Sequence, residues 1–165
     1  MDIQSREAFE KLINPESVQV FLMSMPIPKP FHFAIHLFFV TNVHGELHRF
    51  EVWHKPQGIN TSLGHVHKDL FKPWSGIRTW LLPITDTTSP ITLLHTFSGK
   101  KAEQLISVLE TSLDHYPFAN HYRFVRGPKS NTYAQWILEQ VPGCRIDLPR
   151  SAIGKDYLRK QGFHR

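Results

Sequence analysis

Apolar residues recur at three- and four-residue spacing in two segments of the second half of the chain, the pattern of amphipathic helices. The first helix ends at Tyr116, because the residue before a proline leaves the helical conformation. The second runs from Asn131 to about residue 141, and Ser130 or Asn131 can cap its first turn. The predicted buried faces are Ala102, Leu105, Ile106, Leu109 and Leu113 in the first helix and Ala134, Ile137, Leu138 and Val141 in the second.

Runs of aromatic and β-branched residues predict strands earlier in the chain. Residues 31–41 are almost wholly apolar and follow a proline-rich stretch, which favours a strand buried on both faces. Residues 47–54 alternate, and the turn-forming residues 42–45 lie between the two segments. Together they predict an antiparallel hairpin.

The remaining pattern completes an α+β prediction. A short helix is expected over residues 5–13, and further strands over 79–85 and 91–96. Residues 55–76 contain glycine, proline and histidine without periodicity and predict an irregular excursion. Strands followed by two late helices indicate one α+β domain over residues 1–165, with a small antiparallel sheet packed against the helices.

Composition excludes two classes of protein. The chain has 165 residues, of which 41% are hydrophobic, too many for an intrinsically disordered protein. The longest apolar stretch, residues 31–40, is interrupted by two histidines and falls short of the ~20 residues that cross a bilayer. The first seven residues lack the basic and apolar pattern of a secretory signal, so we expect none. The lone Cys144 excludes an intrachain disulfide, so we expect a soluble cytoplasmic protein.

Positive charge is concentrated near the C-terminus. The net charge is +5, and residues 150–165 form a basic tail. Such a tail attracts nucleic acid or anionic lipid without specificity. A solvated and partly frayed terminus is the more common case, and no module for sequence-specific nucleic-acid binding is present.

His36 is a polar residue inside an apolar strand, so its ring must be hydrogen-bonded or face a cleft. With residues 42–45 as the hairpin loop, His36 lies directly opposite Glu51 on the same face of the sheet. A carboxylate beside an imidazole orients it and raises its basicity, as in a nucleophile–base–orienter set. The alternative is a structural histidine.

The start of the second helix supplies hydroxyl groups that can act as nucleophiles. Ser130 and Thr132 flank Asn131, after a loop set by Gly127 and Pro128. Backbone N–H groups at a helix N-terminus stabilise a developing anion. The alternative is that these residues only cap the helix.

Long motifs in the C-terminal half resemble a bacterial family known as domain of unknown function 3750. They are Tyr-Pro-Phe-Ala at 116–119, Gly-Pro-Lys-Ser-Asn-Thr-Tyr at 127–133 and Ala-Ile-Gly-Lys-Asp-Tyr-Leu at 152–158. Shorter motifs around His36 and Glu51 resemble the same family. In layout the family is similar to circularly permuted papain-like domains of the NlpC type.

That resemblance implies a permuted papain-like fold with a histidine on an early strand, an orienting residue on the next and a nucleophile opening a late helix. It places His36, Glu51 and Thr132 in those roles, with Asn131–Thr132 where relatives carry Asn-Cys. The implied activity is hydrolysis or acyl transfer on an amide or ester, with Thr132 or Ser130 as nucleophile. The alternative is a catalytically inactive cleft that binds a peptide, a lipid head group or a protein partner.

Other residues complete the candidate site. Asn131 lies where an oxyanion would be bound, Lys129 adds positive potential, and Arg123 can bind a carboxylate or phosphate. His65, His67 and Asp69 have a spacing compatible with a metal, but sequence fixes no third strong ligand. We therefore expect no metal and no cofactor, and a small-molecule, peptide or lipid-like substrate.

Overall fold

The fold is described from a computed structural model that covers residues 1–3, 5–28, 30–54, 62–76, 90–124 and 127–162. Over these residues the chain forms a seven-stranded antiparallel sheet and four helices, in the sheet order β1-β7-β2-β3-β4-β6-β5. The strands are β1 Asp2–Ile3, β2 Val18–Pro26, β3 Ile35–Val43, β4 Glu46–Val52, β5 Ser62–Leu63, β6 Val66–Lys68 and β7 Ile91–Ser98. The helices are α1 Arg6–Glu10, α2 Lys100–His115, α3 Ser130–Gln140 and α4 Tyr157–Lys160.

The sheet has an apolar cluster on each face. Because side chains alternate along a strand, Leu37 and Phe39 of β3 pack with residues of α2 and α3. Phe38 and Val40 point to the other face, where Phe9 of α1 covers them. The α+β prediction is confirmed, and a strand buried on both faces is confirmed for β3.

Both late helices are confirmed. Helix α3 begins one residue before its predicted start, and α2 ends at the predicted position, with Tyr116 as its C-cap. Helix α1 is shorter than the predicted helix over 5–13, since it ends at Glu10. Ser5 caps it by accepting a hydrogen bond from the Ala8 N–H. The strand predicted from residue 31 begins at Ile35. Among the described residues no helix is long and apolar enough to cross a membrane.

The hairpin turn is tighter than predicted. It consists of His44 and Gly45, whose φ angles of 51° and 92° suit a two-residue turn, and Val43 pairs with Glu46. The predicted four-residue loop was therefore wrong, and the register of β4 is shifted by two residues. A shift of two preserves the face of every side chain, so His36 and Glu51 still share one face.

Two segments differ from expectation. The excursion at 55–76 is not irregular throughout, because β6 pairs with β4 and β5 extends the same edge. The basic tail is packed rather than frayed as far as Leu158, whose exposed fraction is 3%. Two predicted segments lie outside the described residues. They are the strand predicted over 79–85 and the first part of the excursion, residues 55–61.

Candidate active site

The sheet opens between β3 and β4 at the end away from the hairpin turn. Pairing of these strands stops at Phe39 and Phe50, and β4 then continues only with β6. The exposed edge of β3 is taken by Asn131, whose amide donates to the Ile35 carbonyl at 2.9 Å and accepts from the Leu37 N–H at 3.1 Å. The Asn131 side chain thus makes the backbone hydrogen bonds that a neighbouring strand would make. It holds the start of α3 beside Ile35 and Leu37, the two sequence neighbours of His36.

A buried chain of polar side chains lies at this opening. His36 Nε2 is 2.8 Å from Glu51 Oε2, so the predicted contact is confirmed, although the two residues are diagonal rather than directly opposite. On the other side of Glu51, the Arg49 guanidinium donates through Nη2 to Oε2 at 3.0 Å. Arg49 Nε also lies 2.7 Å from Oε1, an ion-pair contact whose angle falls short of a hydrogen bond.

Arg49 is fully buried, and its guanidinium group contacts two backbone carbonyls and an aromatic ring. Its Nη1 donates to the carbonyls of Ser75 at 2.6 Å and Lys72 at 3.0 Å, and its guanidinium carbon lies 3.8 Å from the centre of the Phe38 ring. A buried cation needs such partners, because burial without them costs several kcal/mol. The packing holds the guanidinium where it contacts Glu51.

The charges set the chemistry of the histidine. Burial raises the pKa of the Glu51 carboxyl, but the Arg49 charge and the His36 hydrogen bond outweigh burial, so that pKa lies below its ordinary value. Burial lowers the pKa of Arg49, and the Glu51 carboxylate opposes that change. Since an ionised carboxylate only accepts, neutral His36 carries its proton on Nε2 and leaves Nδ1 as an acceptor.

Within the described ranges Nδ1 has no hydrogen-bond partner, since the contact of Nε2 with Glu51 is the sole hydrogen bond of His36 there. The ring lines a cavity of about 240 Å³ at the opening of the sheet. Trp53 packs edge-on against the ring at 5.6 Å between centroids and lines the same cavity. A general base must be oriented and reachable by substrate, and His36 meets both conditions.

Ser130, the first residue of α3, also lines this cavity. Its exposed fraction is 4%, and its hydroxyl forms no hydrogen bond with any residue that the structure describes. Its oxygen is not among the buried side-chain atoms that lack a partner, so the hydroxyl is accessible from the cavity. Ser130 also stands in the first helical turn, whose N–H groups have no intrahelical acceptor.

Thr132 is placed differently and does not line the cavity. Its hydroxyl is completely buried, donates to the Gly154 carbonyl at 2.8 Å and accepts from the Lys129 N–H at 3.3 Å. The hydroxyl therefore caps α3 and joins it to the following loop. Thr132 was the first candidate nucleophile from the sequence, and this geometry favours Ser130 instead.

The two basic candidates, Lys129 and Arg123, differ in their position relative to the cavity. Lys129 lines the cavity, and its ammonium group donates to the Phe124 carbonyl at 2.6 Å. Burial lowers the pKa of Lys129. Arg123 is exposed and does not line the cavity, so the structure does not bring it to the site with His36.

The histidines of the excursion do not converge. His65 Nδ1 is 2.8 Å from the Trp53 carbonyl oxygen, whereas Asp69 contacts His48 through one oxygen and the Arg49 N–H through the other. In the described part of the chain no group of three or more His, Cys, Asp or Glu side chains is placed to hold a metal. Cys144 is buried beyond the end of α3, away from the residues that line the cavity.

Sequence reasoning missed Arg49 and Trp53 as parts of the site. Arg49 carried a signal, because it lies two residues from Glu51 and so shares its face of β4. An arginine and a glutamate together on the face of a buried strand predict an ion pair. Trp53 carried no such signal, because its position depends on the divergence of β4 from β3.

Comparison with known proteins gives one match. No curated protein and no solved structure matches the chain. A family model described as "Protein of unknown function (DUF3750)" matches residues 16–157, a range that includes the opened sheet, the buried polar chain and the start of α3. By that match, which covers most of its length, the chain belongs to the DUF3750 family.

Proposed function

We propose that the protein is a hydrolase or acyltransferase that acts on an ester or amide through Ser130. In this proposal His36 is the general base, Glu51 orients it and Arg49 holds Glu51 in place. The observation that carries the proposal is the cavity itself, because an unpartnered serine hydroxyl and an oriented imidazole both line it. Thr132 is the weaker candidate nucleophile, since its hydroxyl caps α3.

In each half of the reaction His36 accepts a proton and then releases it. Ser130 Oγ attacks the carbonyl carbon while His36 Nδ1 takes the hydroxyl proton. The bond from that carbon to the leaving oxygen or nitrogen then breaks, and the leaving group takes the proton from His36. Water, or the hydroxyl or amine of an acceptor, attacks the acyl group in turn, His36 takes its proton, and that proton returns to Ser130 as the product leaves.

Two further features support acyl chemistry at this position. The N–H groups in the first turn of α3, which have no intrahelical acceptor, suit an oxyanion that forms on the carbonyl oxygen. The Asn131 side chain is committed to β3 and Ile153, so it positions the helix, and the oxyanion role falls to backbone groups.

The arrangement also supports kinship in layout with permuted papain-like domains. An early strand carries the histidine, the next strand carries its orienting residue, and a late helix opens with the nucleophile. In this chain the proposed nucleophile is Ser130, the first residue of α3 and one residue before Asn131, whereas Thr132 stands at the position of the cysteine in Asn-Cys. A serine nucleophile makes the reaction depend more strongly on the base than a cysteine would, because a hydroxyl is barely ionised at neutral pH.

Ester turnover by single-residue variants tests the proposal. With a p-nitrophenyl ester, Ser130→Ala and His36→Ala are expected to lower kcat/KM by about a hundredfold or more. Ser107→Ala is the matched control, since Ser107 is exposed on α2, and it should equal the wild type. Full turnover by Ser130→Ala would contradict the proposal, and no turnover by the wild type would favour a cleft that only binds its ligand.

A further inference from the structure

The walls of the cavity are mostly apolar and aromatic. Its polar contributions come from Ser130, Asn131, His36, His54 and Lys129. The remaining ten described lining residues are apolar or aromatic, among them Phe33, Trp53, Phe124 and Ile153. Apolar walls with a few convergent polar groups favour a ligand whose bulk is uncharged and whose polar atom lies at one end.

Among the residues that the structure describes, the one ammonium group in the lining is already engaged. Lys129 Nζ donates to the Phe124 carbonyl and lies 5.7 Å from the centre of the Phe124 ring. Gly154 packs against the stem of the same side chain, so closely that an added Cβ would lie 2.8 Å from Lys129 Cε. Lys129 is therefore held away from the role of a mobile counter-charge for an anionic ligand.

Two of the apolar side chains that line the cavity are exposed to solvent. Phe33 and Ile153 have exposed fractions of 59% and 38%, and both belong to the lining. They come from different segments, the loop before β3 and the loop after α3. Exposed large apolar residues in the lining of one cavity indicate a surface that an apolar ligand covers.

Size limits the ligand. A volume of about 240 Å³ is below the ~300–1,000 Å³ usual for pockets that enclose a drug-sized molecule. The cavity therefore encloses one part of a substrate, while the rest remains outside. The enclosed part is the one that ends at Ser130 and His36.

We propose that the substrate is an acyl donor with an uncharged apolar acyl group of short to medium length. Its carbonyl lies at Ser130, its hydrocarbon part fills the cavity between Trp53 and Phe124, and its leaving group remains in solvent. The inference rests on the proposed function and specifies its substrate class. Straight-chain and aromatic acyl groups share this chemistry, and the experiment separates them.

A series of p-nitrophenyl esters provides the kinetic test. From acetyl to butanoyl to hexanoyl, kcat/KM is expected to rise by roughly fourfold per buried methylene, and then to level off once the cavity is full. A phenylacetyl ester tests the aromatic alternative, and a succinyl ester tests an anionic one. A flat series, or a preference for succinyl, would overturn the inference.

Variants at the opening connect the preference to this cavity. Phe33→Ser and Ile153→Ser are expected to lower the ratio of hexanoyl to acetyl kcat/KM by at least about threefold, because each removes apolar surface that the acyl group covers. Gln104→Ser is the control, since Gln104 is exposed on α2, and its ratio should equal that of the wild type. Unchanged ratios in both cavity variants would also overturn the inference.

Calorimetric binding separates this inference from the proposed function. The methyl ketone analogues of the same acyl groups bind without turnover. Affinity that rises with chain length in the wild type, and falls in Phe33→Ser, supports the apolar site even if no ester is hydrolysed, in which case the proposed function alone fails. Ester turnover through Ser130 with affinity independent of chain length would leave the function standing and overturn the substrate class.

Discussion

Glu51 remains charged in the protein interior because two partners contact its carboxylate, His36 on one side and Arg49 on the other. Glu51→Gln would leave the Arg49 guanidinium buried without a counter-charge. We expect the free energy of unfolding to fall by about 3–5 kcal/mol, measured by urea denaturation.

The matched control for this variant is Glu110→Gln. Glu110 pairs with Lys68 at 2.9 Å, but its side chain is 42% exposed. Exposed ion pairs contribute about 1 kcal/mol or less. A loss in Glu51→Gln no larger than in the control would show that the buried pair does not stabilise the fold.

Thr132 illustrates how one hydroxyl serves structure rather than chemistry. Thr132→Val removes the hydrogen bonds to the Gly154 carbonyl and from the Lys129 N–H. We expect a loss of about 1–3 kcal/mol of unfolding free energy by urea denaturation, because both buried backbone groups lose a partner. Thr132→Ser keeps the hydroxyl and should retain most of that stability, and equal losses in the two variants would refute the capping role.

At the scale of elements, the loop after α3 braces the site through Gly154. Its φ of 98° is one that other residues rarely adopt, and its missing Cβ leaves room for the Lys129 stem. Gly154→Ala is expected to destabilise the protein more than Gly162→Ala, by about 1 kcal/mol or more in urea denaturation. Gly162 has a comparable φ of 79° but open space around it, so the difference isolates the contact with Lys129.

Adding Lys129→Ala to Gly154→Ala checks the cause of that difference. The double variant lacks the side-chain atoms that the new methyl group would meet. Its stability relative to Lys129→Ala alone should therefore show only the cost of the backbone conformation, as Gly162→Ala does. If the full loss persists in the double variant, the contact is not its cause.

The elements that sequence predicts well are those with strong local signals. Helices α2 and α3 have a clear stripe of apolar residues and a proline shortly after each, and their bounds were anticipated closely. β2 was missed although it lies beside β3 in the middle of the sheet. Its residues 20–23 form a short apolar run without alternation, and such a run does not separate a buried strand from a loop that packs in the core.

The hairpin shows how a wrong register still predicted a correct contact. The predicted loop was two residues too long, and an error of two keeps each side chain on its face. The contact of His36 with Glu51 therefore survived, whereas an error of one would have placed them on opposite faces. What sequence could not show is the divergence of β4 from β3 that opens the cavity, because it depends on Asn131, 94 residues beyond Leu37.

At the scale of the whole molecule, the buried charges link stability to pH. The pKa of Glu51 is lower in the folded protein than its ordinary value of 4.5, so the unfolded chain binds the proton more readily. The stabilisation by Glu51 is therefore complete above pH ~4.5 and is lost as the pH falls through the lower, folded-state pKa.

Urea denaturation over a series of pH values tests this linkage. The stability difference between wild type and Glu51→Gln should be largest near neutral pH and should narrow in acid, because protonated Glu51 and glutamine are both uncharged. The Glu110→Gln control removes a carboxylate from the surface and should show a much smaller change. A difference that stays constant down to strong acid would contradict an ionised Glu51 in the folded state.

Ser130 is proposed as a nucleophile that His36 activates, and covalent labelling tests that role. The intact protein is treated with a fluorophosphonate, which reacts with activated serine hydroxyls, and the modified residue is located by peptide mass spectrometry. We predict one adduct, on Ser130, that is lost in Ser130→Ala, strongly reduced in His36→Ala and unchanged in Ser107→Ala. Labelling of another residue, or labelling of Ser130 at the same rate in His36→Ala, would contradict the account.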